Sequence, residues 1–265
     1  MNILITGSRG FIARNLINRL SKFADVDVFF YDLPQSDIST TLDYPTYLDI
    51  VIHLAAETSI INSFDSVDKI ITTNILGTYN ILSNTNAKKF IFISSCAALN
   101  PLTSPYSMSK YIGEYLCSLF KSKMSIDIIR PSNIYGPYSV HKESVVAKFI
   151  KQSINNEPLT IRGDGSQTRS FIFVEDVITH IVSAIVSTNN YTNKSLFGTS
   201  LSVSELAAKI CMLSTELLNY TPNLLYLNNM QEVNNTEYGE QNCLTDIDKG
   251  LTTTFKWFKR NYGIK

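Results

Sequence analysis

Three residues of this chain, Ser95, Tyr106 and Lys110, have the types and the spacing needed to move a proton. Tyr106 and Lys110 are four residues apart, so on a helix both side chains project from one face. An ammonium close to a phenol stabilises the phenolate and lowers its pKa from about 10 toward a range where it exchanges protons with a hydroxyl. Ser95 ends a strand-like run, where its hydroxyl could orient the same oxygen. The same spacing occurs on ordinary solvated helix faces, so the pair alone does not define a site.

A turn with two glycines near the amino terminus predicts a dinucleotide site. Gly7 and Gly10 follow the first apolar run and open the first helix-length segment. Gly7 would permit a tight turn, Gly10 would let the backbone approach a pyrophosphate, and Ala13 would let the helix pack close to a sheet. The N–H groups at the helix start would then face the phosphates. A loop that merely needs positive φ would explain the glycines equally well.

An acid at the end of the second strand-like run bears on the choice of coenzyme. Asp32 lies 19 residues after Ala13, where a carboxylate accepts hydrogen bonds from an adenosine ribose. Its charge would repel a ribose 2′-phosphate, so NAD is expected in preference to NADP. Arg9 acts in the opposite sense, because a guanidinium in the turn could bind that phosphate.

The elements that must position these residues alternate along the first two-thirds of the chain. Short, continuous apolar runs separate helix-length segments, as in strands buried on both faces. The pattern predicts repeated βαβ units and therefore an α/β fold with a Rossmann-type, doubly wound parallel sheet. The predicted strands are Asn2–Ile5, Val26–Tyr31, Ile50–Leu54, Phe90–Ile93, Ser125–Ile129 and Phe171–Val174. The predicted helices are Phe11–Lys22, Ser66–Asn84, Tyr106–Phe120, Val145–Ile154, Val177–Ser187 and Ser202–Met212.

Two of these helices carry further signals. Ser202 is followed three residues later by Glu205, which predicts a capping box at a helix start. In Tyr106–Phe120 the apolar residues recur at helical spacing and are expected to form one packing stripe. Its members are Met108, Ile112, Tyr115, Leu116, Leu119 and Phe120.

Composition excludes several classes of function. The 265 residues carry 23 basic and 23 acidic side chains with no long basic run, so a nucleic-acid partner is not expected. No apolar stretch approaches about 18 residues, so no membrane partner is expected. No cationic flank precedes the first strand, and we therefore expect a cytoplasmic protein. The cysteines Cys96, Cys117, Cys211 and Cys243 lie far apart, which favours reduced thiols and no metal site.

Many motifs follow one another in a fixed order along the chain. They are Gly7-x-x-Gly10-x-x-Ala13, Asp32, Val51 to Glu57, Asn74 to Thr78, Ser94-Ser95, Tyr106-x-x-x-Lys110, Arg130 to Pro137, Gly163 to Arg169 and Val174 to Val177. This series resembles the extended short-chain dehydrogenase/reductase superfamily, and within it the NAD-dependent nucleotide-sugar epimerase/dehydratase family. The resemblance fades after about Glu205.

The resemblance implies a role for each matching residue. Tyr106 would be the acid/base, Lys110 would hold the nicotinamide ribose and tune Tyr106, and Ser95 would bridge to the substrate hydroxyl. The implied coenzyme contacts are Gly7, Arg9, Gly10, Phe11, Ile12, Asp32, Asp37, Ile38, Leu54, Ala55, Ala56, Asn74, Tyr106, Lys110 and Pro131. The implied contacts with a nucleotide-diphosphate sugar are Ser95, Cys96, Asn133 and Arg169. A turn-stabilising role for Asn133 and a surface ion pair for Arg169 are the alternatives.

The resemblance also implies an activity in carbohydrate biosynthesis. Dehydratases of the family place Asp and Glu after the catalytic Ser or Thr, whereas this chain has Cys96 and Ala97, so water elimination is not expected. We expect an NAD-dependent epimerase, an isomerase with oxidoreductase-type chemistry at sugar C4 through a transient 4-keto intermediate. The alternatives are an NAD(P)H-dependent 4-keto nucleotide-sugar reductase and a catalytically decayed nucleotide-binding protein. A fucose-synthase-like reductase would use a cysteine one position away from Cys96 and a histidine where Ser144 stands, with His141 nearby.

The implied architecture has two parts and a homodimer. An NAD-binding domain would comprise residues 1–130 and about 170–187, and a smaller C-terminal substrate-binding lobe about 131–169 and 188–265. Dimerisation would use the helices Ser66–Asn84 and Tyr106–Phe120, unless Tyr115, Leu119 and Phe120 pack inward. Relatives have a longer segment between the Ser and the Tyr, which are only 11 residues apart here. The sugar pocket would then be more open, or completed by another chain or the C-terminal lobe.

Overall fold

A six-stranded parallel sheet, whose inner strands are continuous β-branched and aliphatic runs, confirms the predicted Rossmann-type fold. The computed structural model describes residues 1–33, 35–40, 43–45, 47–227, 239 and 241–262. The strands of this sheet are β1 (Asn2–Thr6), β2 (Asp27–Tyr31), β3 (Leu48–His53), β4 (Ala87–Ile93), β5 (Ser125–Pro131) and β9 (Tyr191–Leu196). They lie in the order β2-β1-β3-β4-β5-β9, and every neighbouring pair is parallel.

Burial follows position in the sheet. Ile3, Leu4 and Ile5 of the inner strand β1 have no exposed surface, whereas Phe30 of the edge strand β2 is 52% exposed. Strands β2 and β3 lie on opposite sides of β1, so the strand order reverses there. At such a reversal the connections leave in opposite directions and open a crevice at the carboxyl ends of the strands.

Helices alternate with the strands of this sheet along the chain. They are α1 (Phe11–Leu20), α2 (Val67–Lys69), α3 (Thr78–Asn84), α4 (Pro105–Phe120) and α6 (Val174–Val186). The predicted helix Ser66–Asn84 is interrupted by a π-helical segment, Ile70–Gly77. Two short 3₁₀ turns, Cys96–Leu99 and Pro101–Thr103, connect β4 to α4. Ser104 caps α4 by accepting a hydrogen bond from the Ser107 N–H.

The chain divides into two compact units. The first unit comprises Met1–Pro131 and Ile178–Leu196, and the second comprises Ser132–Val177 and Phe197–Lys265. The elements of the second unit are β6 (Asn133–Tyr135), α5 (Val145–Ile154), β7 (Leu159–Arg162), β8 (Thr168–Phe173), β10 (Thr199–Ser202), α7 (Val203–Leu218), β11 (Leu224–Leu227) and α8 (Ile247–Asn261). They form a three-stranded sheet β10-β8-β6 and a two-stranded sheet β11-β7. The predicted capping box of Ser202 and Glu205 begins α7.

The expected boundaries of the two parts need correction. Residues 191–196 were expected in the C-terminal lobe, but β9 pairs with β5 from Ile126 to Pro131 and belongs to the first sheet. Its sequence, YTNKSL, is polar because β9 is an edge strand with largely exposed side chains. Conversely, β8 belongs to the second unit, although the NAD-binding domain was expected to include residues from about 170.

The expected packing stripe on α4 is confirmed only in part, because Leu116 and Phe120 pack against the core but two other members do not. Tyr115 and Leu119 are 60% and 56% exposed. The buried face instead carries small and polar residues, among them Lys110, Gly113 and Glu114. Gly113 explains this choice, because a Cβ there would lie 2.6 Å from the ring of Phe92. Close approach of the helix to the sheet therefore overrides apolar periodicity.

No helix in the described ranges combines the length and apolar character needed to cross a membrane.

Candidate active site in the first unit

The glycine turn joins β1 to α1 at the point where the strand order reverses. Gly7 has a φ of 67°, and a Cβ there would lie 2.8 Å from the backbone N and Cα of Ala55. Only glycine fits this position without movement of the adjacent strand end. The N–H of Gly10 donates to the Gly7 carbonyl at 2.9 Å, and Gly10 begins α1 without a side-chain cap. The turn thus offers backbone N–H groups and a helix start suited to a pyrophosphate.

Asp32 lies beside this turn, as predicted for a ribose contact. Its carboxylate accepts from the N–H groups of Arg9 at 2.6 Å and Leu33 at 2.8 Å. The Arg9 guanidinium donates to the Leu33 carbonyl at 3.0 Å and to Gln35 Oε1 at 2.8 Å. Arg9 and Asp32 therefore occupy one edge of the turn. A cavity of about 420 Å³ lies here, lined by Ser8, Arg9, Ile17, Phe30, Asp32, Gln35 and Ser36.

The remaining predicted coenzyme residues occupy several positions in the first unit. Leu54, Ala55 and Ala56 follow β3 and are partly exposed, and Phe11 and Ile12 begin α1 with only Phe11 buried. The Asp37 carboxylate accepts from the Ser39 N–H and hydroxyl, so it shapes its own loop. Ile38 is buried and lies close to Gly77, and Pro131 ends β5 opposite Leu196.

A series of buried hydrogen bonds links the glycine turn to the π-helical segment and α3. The Thr78 hydroxyl donates to the Asn74 carbonyl at 2.7 Å, so its oxygen accepts from His53 Nε2 at 2.9 Å. His53 Nδ1 then accepts from the Thr6 hydroxyl at 2.7 Å. The Thr6 oxygen in turn accepts from the N–H groups of Leu54 and Ala55, each at 3.2 Å. This series of hydrogen bonds holds the start of the glycine turn against the end of β3.

Asn74 continues this connection toward α4. Its side-chain oxygen accepts from the Glu57 N–H at 2.8 Å, and its amide nitrogen donates to the Glu57 carbonyl at 3.0 Å. The same nitrogen donates to the Ser109 hydroxyl at 2.9 Å. Asn74 lies within the π-helical segment, a local departure from α-helical geometry that is frequent at functional sites. Asn74 thereby connects the strand end after β3 to the residue that precedes Lys110.

His53 makes the stability of the protein depend on pH. It is 1% exposed, and burial together with the Lys110 charge lowers its pKa from 6.5 to about 3. Between these values the unfolded chain binds a proton that the folded chain does not, so the free energy of unfolding decreases as the pH falls.

We expect His53→Gln to remove about 1.4 kcal/mol per pH unit of this dependence. Urea unfolding between about pH 4 and pH 6.5 measures the slope. His141→Gln, at an exposed histidine, is the control and should keep the wild-type slope. Equal slopes in the His53 variant and the wild type would contradict the assignment.

The three residues predicted for proton transfer lie where β4 meets α4. Tyr106 and Lys110 both belong to the buried face of α4, and Tyr106 packs with Ala97 and Ile70. Lys110 Nζ donates to the Ile93 carbonyl at 2.9 Å and lies 5.1 Å from the centroid of the Phe92 ring. Ser95, two residues after Ile93, is partly exposed, and its oxygen accepts from the Ala97 N–H at 3.2 Å.

Comparison with known proteins assigns this arrangement to a family. The sequence profile of the NAD dependent epimerase/dehydratase family matches residues 3–196. The chain belongs to this family. The family is NAD-dependent, which confirms the predicted coenzyme, and the glycine turn with Asp32 has the geometry to hold it.

Relatives within the family carry different activities. A dTDP-D-glucose 4,6-dehydratase of Dictyostelium discoideum is 31% identical over 80% of this chain and 62% of its own length. A provisionally named UDP-glucose 4-epimerase of Methanocaldococcus jannaschii is 30% identical over 77% of this chain and 79% of its own length. The structure of an epimerase from Methanothermobacter thermautotrophicus matches with a TM-score of 0.83 and 26% identity, covering 98% of this chain and 93% of that one. The chain thus spans less than two-thirds of the Dictyostelium protein.

The residues predicted to contact the nucleotide diphosphate lie in the second unit of this family member. The Asn133 amide nitrogen donates to the Ser170 carbonyl at 3.1 Å, next to the β6·β8 pairing. This contact joins β6 to β8 and is distinct from the turn-stabilising role that the sequence left open for Asn133. Arg169 lies on β8 opposite Leu201 and is partly exposed.

Sequence reasoning gave no role to Thr6, His53, Thr78, Glu114 and Arg130, all of which hold the site together. Thr6, His53, Thr78 and Arg130 lie inside or beside the recognised motifs. Glu114 repeats the four-residue spacing of Tyr106 and Lys110, which is the signal that could have placed it on the same helix face.

Proposed function

We propose that the chain is an NAD-dependent nucleotide-sugar epimerase that inverts sugar C4 through a transient 4-keto intermediate. The observation that carries this proposal is the grouping of Tyr106 and Lys110 beside Ser95 at the end of β4, where the two positions after Ser95 hold Cys96 and Ala97 in place of a carboxylate pair. Ala97, which packs against Tyr106, has a methyl group where the dehydratase relatives are expected to place an acid.

The glycine turn and Asp32 would hold the coenzyme. Backbone N–H groups at the start of α1 would bind the pyrophosphate, and the Asp32 carboxylate would accept the adenosine ribose hydroxyls. When bound, NAD supplies the acceptor and donor of hydride at the sugar carbon.

Tyr106 would carry the proton. Its phenolate Oη removes the proton of the C4 hydroxyl as the C4–H bond breaks, and returns that proton to the same oxygen when the other face of the ketone is reduced. The Ser95 oxygen accepts from a backbone N–H, so its own proton can be donated to the sugar oxygen. The Lys110 ammonium would favour the phenolate form of Tyr106. Proton and hydride both return to substrate, so no coenzyme is consumed.

Water elimination requires a second acid and base, which this site does not offer at the matching positions. The Cys96 thiol is 1% exposed and donates to the Arg130 carbonyl at 3.1 Å. Neither this thiol nor the Ala97 methyl can shuttle protons to a substrate carbon. These two side chains therefore favour epimerisation over dehydration.

A 4-keto nucleotide-sugar reductase is the second candidate, because Arg9 places a cation at the edge of the adenosine ribose position. The coenzyme balance separates the two activities. We expect C4 epimers of a UDP- or dTDP-sugar to interconvert with catalytic NAD and no added NADPH. Oxidation of NAD(P)H in a one-to-one ratio with product would assign the reductase instead. Coenzyme binding without turnover across UDP-, dTDP-, GDP- and CDP-sugars would assign a nucleotide-binding protein.

Asp32 is expected to set the coenzyme preference. Asp32→Asn removes the charge that opposes a 2′-phosphate and weakens the acceptors for the ribose hydroxyls, so NAD affinity should fall about 10-fold while NADP affinity rises. Fluorescence titration with each reduced coenzyme measures both constants. Asp27→Asn, at the opposite end of β2, is the matched control and should change neither. An unchanged ratio of NAD to NADP affinity in Asp32→Asn would refute this role.

The nucleotide-diphosphate sugar is expected to contact the second unit through Arg169 and Asn133. A guanidinium is suited to bidentate binding of a diphosphate. Relatives named for dTDP- and UDP-glucose support this substrate class.

We further propose a homodimer formed through α4, the π-helical segment and α3. Tyr115, Leu119, Leu76 and Tyr79 are all more than half exposed on these elements, and such an apolar surface is typical of an interface. Light scattering should give twice the 29.8 kDa chain mass. A strictly monomeric mass would exclude this interface.

A further inference from the structure

Glu114 and Arg130 form an ion pair beneath the end of β4. Glu114 is 6% exposed, and its Oε1 accepts from Arg130 Nε at 2.7 Å while Oε2 contacts Arg130 Nη2. The Ser94 hydroxyl donates to the same Oε1 at 2.5 Å. A bidentate guanidinium and a hydroxyl thus engage both carboxylate oxygens.

This ion pair lies one helical turn from Lys110. Lys110 and Glu114 are four residues apart on the buried face of α4. Lys110 donates to the carbonyl of Ile93, and Glu114 accepts from the hydroxyl of the next residue, Ser94. Consecutive turns of α4 therefore form hydrogen bonds with consecutive residues, Ile93 and Ser94, that precede Ser95.

Arg130 also anchors the far side of Ser95. Its carbonyl accepts from the Cys96 thiol at 3.1 Å. On the near side, the Ser94 N–H donates to the Ile129 carbonyl at 2.8 Å. Ser95 is thus held between two residues that are both bonded to β5.

If Arg130 were removed, the Glu114 carboxylate would have another cation within reach, Lys110. Acidic and basic side chains at positions i and i+4 of a helix face each other, and a buried carboxylate strongly favours a cationic partner. In the absence of the guanidinium, the Glu114 charge would act on Lys110.

We propose that Arg130 is a positioning residue that keeps the Glu114 carboxylate bound to β5 and so reserves the Lys110 ammonium for Tyr106. This inference rests on the proposed function, in which Tyr106 transfers the proton. The same pair fixes the backbone on either side of Ser95.

Other titratable groups face this cluster from the neighbouring elements. His53 on β3 is neutral at physiological pH because its pKa is about 3, and burial beside Glu114 raises the pKa of the Cys117 thiol on α4. Cys96 and Tyr191 face Arg130 from the 3₁₀ turn and β9. Of these groups none is an acid that could replace Glu114 near neutral pH.

The ionisation of Tyr106 tests the proposal directly. The protein is labelled with ¹³C at the tyrosine ring ζ-carbon, saturated with NAD and titrated by NMR, with Tyr106→Phe assigning the signal. In Arg130→Met the Tyr106 midpoint should rise by about one pH unit, because the freed carboxylate offsets the ammonium. In Arg130→Met/Glu114→Gln it should return to the wild-type value. A folded Arg130→Met with an unchanged midpoint, or a double variant that keeps the shift, would overturn the proposal.

Glu114→Gln provides a second test if Arg130→Met does not fold. The remaining Arg130 cation should then lower the Tyr106 midpoint, and an unchanged or raised midpoint would overturn the proposal. The wild-type titration tests the proposed function separately. A wild-type midpoint at or above about 10 would remove Tyr106 as the acid/base, whereas unresponsive Arg130 and Glu114 variants would leave that role intact.

Discussion

Replacing Tyr106 with phenylalanine should lower turnover by about 10²–10⁴-fold while the protein still binds NAD. The substitution removes only the phenolic oxygen, so the packing of the ring with Ala97 and Ile70 is retained. Without that oxygen, no group accepts the proton of the sugar hydroxyl as hydride leaves the same carbon. The rate is measured with the nucleotide sugar that the wild-type protein epimerises fastest.

The matched control is Tyr111→Phe, at a tyrosine of the same helix that is 49% exposed. This variant should turn over at the wild-type rate. Thermal unfolding should be similar for both variants, which separates loss of chemistry from loss of fold. Turnover in Tyr106→Phe equal to that of the wild type would eliminate the catalytic assignment.

Replacing Gly7 with alanine should abolish measurable coenzyme binding. The left-handed backbone at a φ of 67° costs an L-residue about 1–2 kcal/mol. The new Cβ would also lie 2.8 Å from the Ala55 backbone, so the turn or the end of β3 must move. Both carry N–H groups that the coenzyme is expected to approach. Titration with NAD followed by calorimetry measures the loss.

Gly163→Ala is the control for this prediction. Gly163 has a φ of 69° but lies in the second unit, outside the coenzyme turn. The two substitutions share the cost of the left-handed backbone, whereas only the first disturbs the turn. We expect Gly163→Ala to bind NAD as the wild type does. Tight NAD binding by Gly7→Ala would show that the turn does not hold the pyrophosphate.

The parts of the fold that sequence reasoning predicted are those in which local pattern and burial agree. Strands such as β1 are continuous apolar blocks because inner strands of a parallel sheet are covered on both faces. The helix Val145–Ile154 matches its prediction because Ser144 caps it and its apolar residues lie on one face. The glycine turn and Asp32 were predictable because backbone geometry and charge restrict those positions to few residue types.

Features that depend on tertiary contacts could not be predicted from the sequence. The strand β9 is too polar to be recognised, since only its pairing with β5 makes it a strand. In the π-helical segment, Asn74 bonds to Glu57, 17 residues earlier, and no local pattern indicates that contact. The buried face of α4 is chosen by the close approach of Gly113 to Phe92 rather than by apolar periodicity. For the same reason the ion pair of Glu114 and Arg130 could not be inferred from either helix or strand alone.

The fate of the hydrogen at sugar C4 tests the central claim most directly. UDP-glucose carrying deuterium at C4 is incubated with the protein and NAD, and the C4 epimer is isolated and analysed by NMR. If one site removes and returns the same hydride, the epimer should retain the deuterium at C4 in ordinary water. Epimer that has lost this deuterium would contradict a transient 4-keto intermediate held at Tyr106.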